Sequence, residues 1–329
     1  MNPFTYERVS DVQTAAAILV RRPDARMIAG GTELINWLKE GIDRPTHVVD
    51  INDLPFTAIS VEADVVRIGA LARLSDVAAH ADVRAACPAI AEALELSASP
   101  QLRNMASMGG NLLQRTRCPY FRADAEVLCN KRRRGTGCAA LDGENRTHAI
   151  FGWSDACVAT HASDVAVALA AFDAVVQVTG PTAQRSIPLL DFYVAPGDTP
   201  DVETTLAPGE IITAIDVPRI AAARRSRYLK VRERASYEFA LVSSAAGLEA
   251  DATTIVSARL ALGGVAYTPW RLRRAERALA GRPLRRDTIR AALDLEFQEA
   301  RPLPHNGFKV DLARRAAMRV LEAAWETRS

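Results

Sequence analysis

The sequence predicts an α+β protein in which two α/β layers are followed by a smaller α+β unit. Short β-type runs alternate with amphipathic segments in the first part, periodicity is lost from about 115 to 157, and longer elements follow beyond residue 220. With 329 residues, 49% of them hydrophobic, the chain is long enough to bury two cores. We therefore predict two domains, 1–220 and 221–329.

The near balance of charge bears on the choice of partner. Lys and Arg number 41 against 39 Asp and Glu, so nothing favours nucleic acid or an anionic membrane surface as the main partner. No window reaches the ~18 consecutive apolar residues of a membrane span. The first residues lack the pattern of a secretion signal, so we expect a cytoplasmic chain, or a periplasmic one if a signal-bearing partner exports the complex.

The individual elements follow from periodicity and from turn residues. In the first layer we predict a helix, a strand, a helix and a strand over 11–21, 27–29, 32–40 and 46–51. In the second layer we predict a strand over 65–69 and helices over 75–80 and 82–96. After the irregular stretch come a helix and a strand over 164–172 and 174–178.

The C-terminal unit has a different pattern, with strands predicted over 241–248 and 255–262. Helices are predicted over 271–280, 287–295 and 309–325. The segment 221–227 carries three arginines and is interpreted either as an exposed linker or as a charged helix cap.

Two pairs of adjacent glycines are candidates for a phosphate site. Gly30 and Gly31 follow a predicted strand and precede a helix, which is an arrangement that offers backbone N–H groups to an anion. Gly109 and Gly110 follow a turn rich in Asn and Ser. Either pair alone is more often a tight turn, but two together suit the two ends of a pyrophosphate, because glycine allows close approach. The fingerprint G-x-G-x-x-G is absent, which argues against a Rossmann domain.

Four of the five cysteines lie in the irregular stretch, at Cys118, Cys129, Cys138 and Cys157. Without a secretion signal, metal ligation is favoured over disulfides. The spacing contains no C-x-x-C pair, so it matches neither zinc knuckles nor ferredoxin runs, and Zn²⁺, a cubane cluster or no ligation all stay open. Cys87 lies in an Ala-rich segment and is predicted to be a small core residue.

Basic residues surround these cysteines. Cations near a negative cluster tune its reduction potential, which favours a cluster over zinc. The alternatives are a solvated basic loop or a docking surface for an acidic partner. The residues concerned are Arg115, Arg117, Arg122, Lys131, Arg132, Arg133 and Arg134.

Several motifs, taken in order, give the chain a family resemblance. The segments 26–34, 103–111, 160–164, 208–212 and 261–266, with Lys230 and Arg234, resemble motifs of the flavin subunits of xanthine dehydrogenase, carbon monoxide dehydrogenase and related molybdenum hydroxylases. Ala162 replaces a Pro that is usual in the family. The resemblance spans nearly the whole chain. It implies a two-subdomain FAD-binding fold similar to the vanillyl-alcohol oxidase (PCMH) type and a C-terminal α+β domain with a small antiparallel sheet and helices.

The resemblance also implies which residues hold FAD. Asp164 would accept hydrogen bonds from ribityl or ribose hydroxyls, and Ile212 and Lys230 would lie near the flavin or the adenosine. On their own, Asp164 could equally cap a helix and Lys230 could be a solvated charge. The other residues implied are Arg26, Met27, Ile28, Ala29, Gly30, Gly31, Thr32, Glu33, Leu34, Ser107, Met108, Gly109, Gly110, Asn111 and Ser163.

The cysteine stretch is similar to an insertion found in one subclass of the family, which includes the flavin subunits of periplasmic aldehyde oxidoreductase and 4-hydroxybenzoyl-CoA reductase. The segments that carry this likeness are 114–122, 129–131 and 137–138. It implies that Cys118, Cys129, Cys138 and Cys157 bind a [4Fe-4S] cluster. We interpret His148 and His161 as structural residues.

The function implied is electron transfer within a larger oxidoreductase. Electrons would pass from a molybdopterin-binding large subunit, through a [2Fe-2S] small subunit, to FAD and then to an external electron acceptor. The chain has no Ser-His-Asp set and no H-E-x-x-H motif, so hydrolysis has no support. An aldehyde is the first candidate substrate of the complex. The alternatives are a stand-alone FAD-dependent reductase of the same fold and an assembly subunit with structural zinc.

Overall fold

The computed structural model describes residues 1–326, so 327–329 of the predicted second domain lie outside the described residues. Three parallel strands form the first layer, and its elements are β1 (Thr5–Arg8), α1 (Val12–Arg21), β2 (Arg26–Ile28), α2 (Leu34–Lys39) and β3 (His47–Asp50). The strand order is β1-β3-β2. All four elements predicted here are confirmed, and the Asp11 side chain caps α1 by accepting a hydrogen bond from the Thr14 N–H at 2.7 Å.

The second layer is built on five antiparallel strands. Its elements are β4 (Ile59–Val61), β5 (Val65–Gly69), α3 (Leu74–Ala79), α4 (Ala81–Ala86), α5 (Pro88–Glu95), α6 (Pro100–Arg103), α7 (Met108–Leu112), α8 (Pro119–Arg122), α9 (Asp164–Ala171), β6 (Val175–Thr179), β7 (Gln184–Pro188), α10 (Leu189–Phe192) and β8 (Ile211–Pro218). The strand order is β4-β5-β8-β6-β7. The single helix predicted over 82–96 is wrong, because Pro88 starts a new helix and Cys87 leaves the helical backbone conformation.

The C-terminal unit, as far as residue 326, is a four-stranded antiparallel sheet with four helices. Its elements are α11 (Ala221–Arg224), β9 (Ser226–Val231), β10 (Val242–Asp251), β11 (Thr254–Gly263), β12 (Trp270–Arg271), α12 (Arg273–Leu279), α13 (Arg286–Phe297) and α14 (Phe308–Glu326). The strand order is β12-β11-β10-β9. The exposed linker proposed for 221–227 is wrong, since Ala222, Ala223 and Ser226 are buried.

Helix α9 holds the last two units together. All eight of its residues are buried, and it packs on α5 on one side and on β10 and β11 on the other. Among the described residues, no helix is long and apolar enough to cross a membrane. The stretch 115–157 has, apart from α8, only turns and isolated bridges, one of which pairs Cys129 with Cys138.

Candidate cofactor sites

A cavity of about 450 Å³ opens where the three units meet. Its walls come from the turn after β2, from the segment that leads into α7, and from the C-terminal unit at Lys230 and 237–239. The cavity brings together most of the residues predicted from the sequence, namely Arg26, Met27, Ile28, Ala29, Gly30, Gly31, Thr32, Glu33, Leu34, Ser107, Gly109, Gly110, Asn111, Asp164, Ile212 and Lys230. Two predicted residues are not in the wall. Met108 is buried in the hydrophobic core. The Ser163 hydroxyl donates a hydrogen bond to the Asn111 side-chain oxygen at 2.5 Å.

The first glycine turn presents free donors to this cavity. None of the four backbone N–H groups of residues 30–33 donates a hydrogen bond within the described part of the chain. Gly31 has a φ of +71°, which favours glycine. A Cβ on Gly30 would lie 1.8 Å from the Met105 carbonyl oxygen, so only glycine lets the two segments approach this closely. The turn is therefore a cradle of consecutive amide donors, which suits an anionic group.

The second glycine motif contributes in another way. The N–H groups of Met108, Gly109, Gly110 and Asn111 already donate to acceptors within the chain, at Ala72, Ala70 and Ser107. The motif thus shapes the wall of the cavity without offering free amide donors. Its hydrogen-bonding groups for a ligand are the side chains of Ser107 and Asn111.

Asp164 and Lys230 form a buried ion pair at the cavity wall. The Lys230 ammonium donates to the Asp164 carboxylate at 2.8 Å and to the Leu96 carbonyl at 3.1 Å, and its side chain is 1% exposed. The same carboxylate accepts from Tyr228 at 2.6 Å and from Ser97 at 3.2 Å. A solvated surface role for Lys230 is therefore wrong. Asp164 does lie at the start of α9, but the side chain that caps this helix is that of Ser163.

Most basic residues of the cysteine stretch are paired with carboxylates of the first two layers. Arg117 forms two hydrogen bonds with Glu33, at 2.7 and 2.8 Å, and Arg122 bridges Glu33 and Glu40. Glu203 binds both Arg115 and the buried Lys131, and the exposed Arg134 pairs with Asp201. The interpretation as a merely solvated basic loop is therefore wrong. Sequence reasoning missed these carboxylates, which lie far away in the chain.

Burial and the neighbouring Lys131 and Arg115 have opposite effects on the pKa of Glu203. Burial alone would raise its pKa, but Lys131 and Arg115 outweigh this effect and hold the pKa below the ordinary value. Burial also lowers the pKa of Lys131, although Glu203 opposes that shift. The pair is stable in its charged form only as long as both partners are present.

The four cysteines of the irregular stretch are free thiols, and Cys129 and Cys157 are buried. Burial, with smaller contributions from Cys129 and Cys138, raises the pKa of Cys118 to about 11. Burial raises the pKa of Cys157 to about 12, with added contributions from Cys138 and Cys118. Among the described residues, however, no group of three or more His, Cys, Asp or Glu side chains is arranged to hold a metal ion. The described residues therefore do not support the expected [4Fe-4S] cluster.

Backbone contacts hold these cysteines in place. Cys129 and Cys138 face each other across a short bridge, and the Asn130 side chain donates to the Ala156 carbonyl at 3.0 Å, next to Cys157. His148 places its Nε2 atom 3.2 Å from the Cys118 sulfur. Burial, with help from Lys309, lowers the pKa of His148 to about 4, so the imidazole is neutral at pH 7.

The layers and the cavity, with its cradle of free amide donors, are typical of a protein that binds a nucleotide-type cofactor where its units meet. Residues 2–220 match the family described as the FAD binding domain in molybdopterin dehydrogenase, and residues 227–324 match the CO dehydrogenase flavoprotein C-terminal domain. The chain belongs to this family, which makes it an oxidoreductase subunit, and the resemblance seen in its motifs is confirmed.

Relatives and solved structures agree with this assignment. The chain is 48% identical to the aldehyde oxidoreductase FAD-binding subunit PaoB of Escherichia coli, covering 98% of this chain and 99% of that protein. It is 27% identical to the glyceraldehyde dehydrogenase medium chain of Sulfolobus acidocaldarius, over 92% and 91% of the two chains. A structure of carbon monoxide dehydrogenase from Hydrogenophaga pseudoflava superimposes with a TM-score of 0.77 at 26% identity, over 98% of each chain. The predicted fold class is therefore confirmed.

Proposed function

We propose that this chain is the FAD-binding, electron-transferring subunit of a heteromeric molybdenum hydroxylase that oxidises aldehydes. The observation that carries the proposal is the likeness to an aldehyde oxidoreductase subunit along nearly the full length of both chains. Other relatives are described as medium chains or FAD-binding subunits, which implies further subunits. The partners in this proposal are a molybdopterin-binding large subunit and a [2Fe-2S] small subunit.

The cavity supports FAD as the cofactor. Its volume suits a ligand of that class, and the free N–H groups of residues 30–33 are placed to bind a diphosphate. Asp164 has hydrogen bonds from three donors and keeps capacity for one more from a ligand hydroxyl. Ile212 and Lys230 line the same cavity, Lys230 bringing a buried positive charge.

We infer that the four cysteines of the irregular stretch bind a [4Fe-4S] cluster. The inference rests on the clustering of these four cysteines within one stretch of the sequence and on the likeness of that stretch to the cluster-bearing subclass of the family. Burial raises the pKa of the Cys118 and Cys157 thiols, so cluster binding would release their protons to solvent.

FAD accepts electrons one at a time and delivers them in pairs, which lets it connect iron-sulfur centres to a two-electron external acceptor. The residues of this chain hold and orient the cofactor. In this proposal the aldehyde is oxidised on the molybdenum subunit. The chain would thus supply the last step before the external acceptor.

Anaerobic reduction of the flavin tests this division of labour. Aldehyde should bleach the flavin absorbance of the purified complex and leave that of the isolated chain unchanged. Dithionite should bleach both, which controls for a flavin that cannot be reduced. If the isolated chain oxidised aldehyde with its own FAD, the protein would be a stand-alone flavoenzyme and the proposal would fail.

A further inference from the structure

The side chain of Asn52, two residues after the end of β3, contacts the glycine turn that follows β2. Its amide nitrogen donates to the Ala29 carbonyl at 3.0 Å and to the Asp50 carboxylate at 2.6 Å. Its amide oxygen accepts a hydrogen bond from the Arg73 guanidinium at 2.9 Å. A guanidinium can only donate and a carbonyl can only accept, so these partners determine which way round the amide lies.

The hydrogen bond to Ala29 sets the direction of the first free donor of the turn. The Ala29 carbonyl and the Gly30 N–H belong to one planar trans peptide group, in which they point in opposite directions. Because Asn52 binds the carbonyl on one side, the free Gly30 N–H is directed to the other. Ala29 and Gly30 line the flavin cavity, whereas Asn52 does not. Asn52 can therefore act on a ligand in this cavity only through the turn.

Arg73 joins the same amide to the segment that leads into α7. Its backbone forms an isolated bridge with Ser107, and its guanidinium donates to the Met105 carbonyl at 2.6 Å. The Gly30 backbone packs against this carbonyl, since a Cβ on Gly30 would lie 1.8 Å from the carbonyl oxygen. The planar guanidinium holds its donors in a rigid fork, so it keeps the Asn52 and Met105 oxygens at a set separation. Arg73 thus fixes the spacing between the two segments that carry the glycine motifs.

We propose that Asn52 and Arg73 are positioning residues for FAD, which together hold the turn after β2 in the orientation that binds the diphosphate. This inference rests on the proposed binding of the FAD diphosphate by that turn. Neither side chain lines the cavity, so their contribution is preorganisation: donors that are already aligned need not be ordered when FAD binds. Without this pair, the peptide group between Ala29 and Gly30 loses its hydrogen-bond donor and can turn its N–H away from the ligand.

The test compares two flavins on the full chain. FAD and riboflavin, which lacks the diphosphate, are titrated into flavin-free wild type, Asn52→Ala, Arg73→Gln and the double variant by fluorescence quenching. Each single substitution should weaken FAD binding about tenfold, the effect of misaligning one hydrogen bond to a charged group, and should leave riboflavin binding unchanged. The double variant should lose little more than either single variant, because both substitutions release the same turn.

Arg67→Gln is the matched control. It removes two hydrogen bonds to Asp216, both of 2.7 Å, from the sheet of the second layer, and Arg67 does not line the cavity. This variant should bind both flavins as wild type does. Urea unfolding of every variant confirms that the flavins are titrated into folded protein and measures the loss of stability that each substitution causes.

Wild-type FAD affinity in folded Asn52→Ala and Arg73→Gln would overturn this inference and leave FAD binding by the chain intact. Equal losses for FAD and riboflavin would overturn it too, because they would indicate a general distortion of the cavity. A wild-type chain that bound no FAD would refute the proposed function itself, and this inference with it. If Asn52→Ala does not fold, Arg73→Gln carries the same expectation and the same refuting outcomes.

Discussion

The close contact between Gly30 and the Met105 carbonyl gives a sharp prediction for Gly30→Ala. The added Cβ would lie 1.8 Å from the carbonyl oxygen, about 1.2 Å short of the closest approach of 3.0 Å that real Cβ atoms show. The obstacle is backbone and cannot rotate away. The turn after β2 must therefore move by about that distance, together with its four free N–H groups.

The expected losses of stability and of FAD affinity follow from the movement of this turn. Forcing one extra carbon into a packed site costs about 1–3 kcal/mol of stability. A hydrogen bond to a charged group contributes about 1.5–3 kcal/mol, so misaligning one of the four donors should weaken FAD binding at least about tenfold. FAD affinity is measured by fluorescence quenching and stability by urea unfolding.

Gly307→Ala is the matched control, since its Cβ would have no heavy atom within 4 Å. It should bind FAD as wild type does. A folded Gly30→Ala protein with wild-type affinity would show that the turn after β2 does not hold the diphosphate, and the reasoning would be refuted.

Three further predictions concern buried charges. Lys230→Met should lower the unfolding free energy by about 3–5 kcal/mol, because it leaves the buried Asp164 carboxylate without its ion-pair partner. Asp164→Asn in the same chain should restore part of that loss. Urea unfolding of the single and double variants measures both effects. Glu203→Gln should cost about 3 kcal/mol at neutral pH. The Glu203 pKa is held below its ordinary value of 4.5 in the folded chain, so the contribution of Glu203 to the unfolding free energy is fully present above pH 4.5. That contribution is lost as pH falls through the lower folded pKa. The unfolding free energies of wild type and variant should therefore converge in acid. Burial lowers the Lys309 pKa to about 7, so the unfolded chain binds that proton more tightly, and the unfolding free energy should rise by about 2 kcal/mol from about pH 7 to 9. A Lys309→Met chain that showed the same rise would contradict this cause.

The parts of the fold that the sequence predicted are those encoded by neighbouring residues. Strand β5 shows alternation along its own length, and α9 is an apolar run after a capping Ser. The glycine turn after β2 could likewise be recognised from its flanking strand and helix. Pro88 also marked the break between α4 and α5, but the periodicity across it suggested one helix.

What the sequence could not predict depends on distant pairing. Strand β8 lies in the middle of the five-stranded sheet, between β5 and β6, and its short motif at 208–212 gave no sign of this. The arginines beside Cys118 looked like a cationic shell for a cluster, yet Glu33, more than 80 residues earlier, accepts hydrogen bonds from them. Which carboxylate meets which arginine is decided by packing of the layers, and a charge pattern alone does not contain it.

The most direct test of the account is the cofactor content of the chain after anaerobic purification, with FAD, iron, sulfide and zinc measured in wild type, Cys129→Ser and Cys87→Ala. Cys87 is buried in the core away from the other cysteines and serves as the control. The account predicts one FAD and about four irons per chain in wild type and in Cys87→Ala, and loss of iron in Cys129→Ser. FAD with zinc or with no metal would contradict the cluster. A chain without flavin would contradict the proposal that the glycine turn after β2 binds FAD.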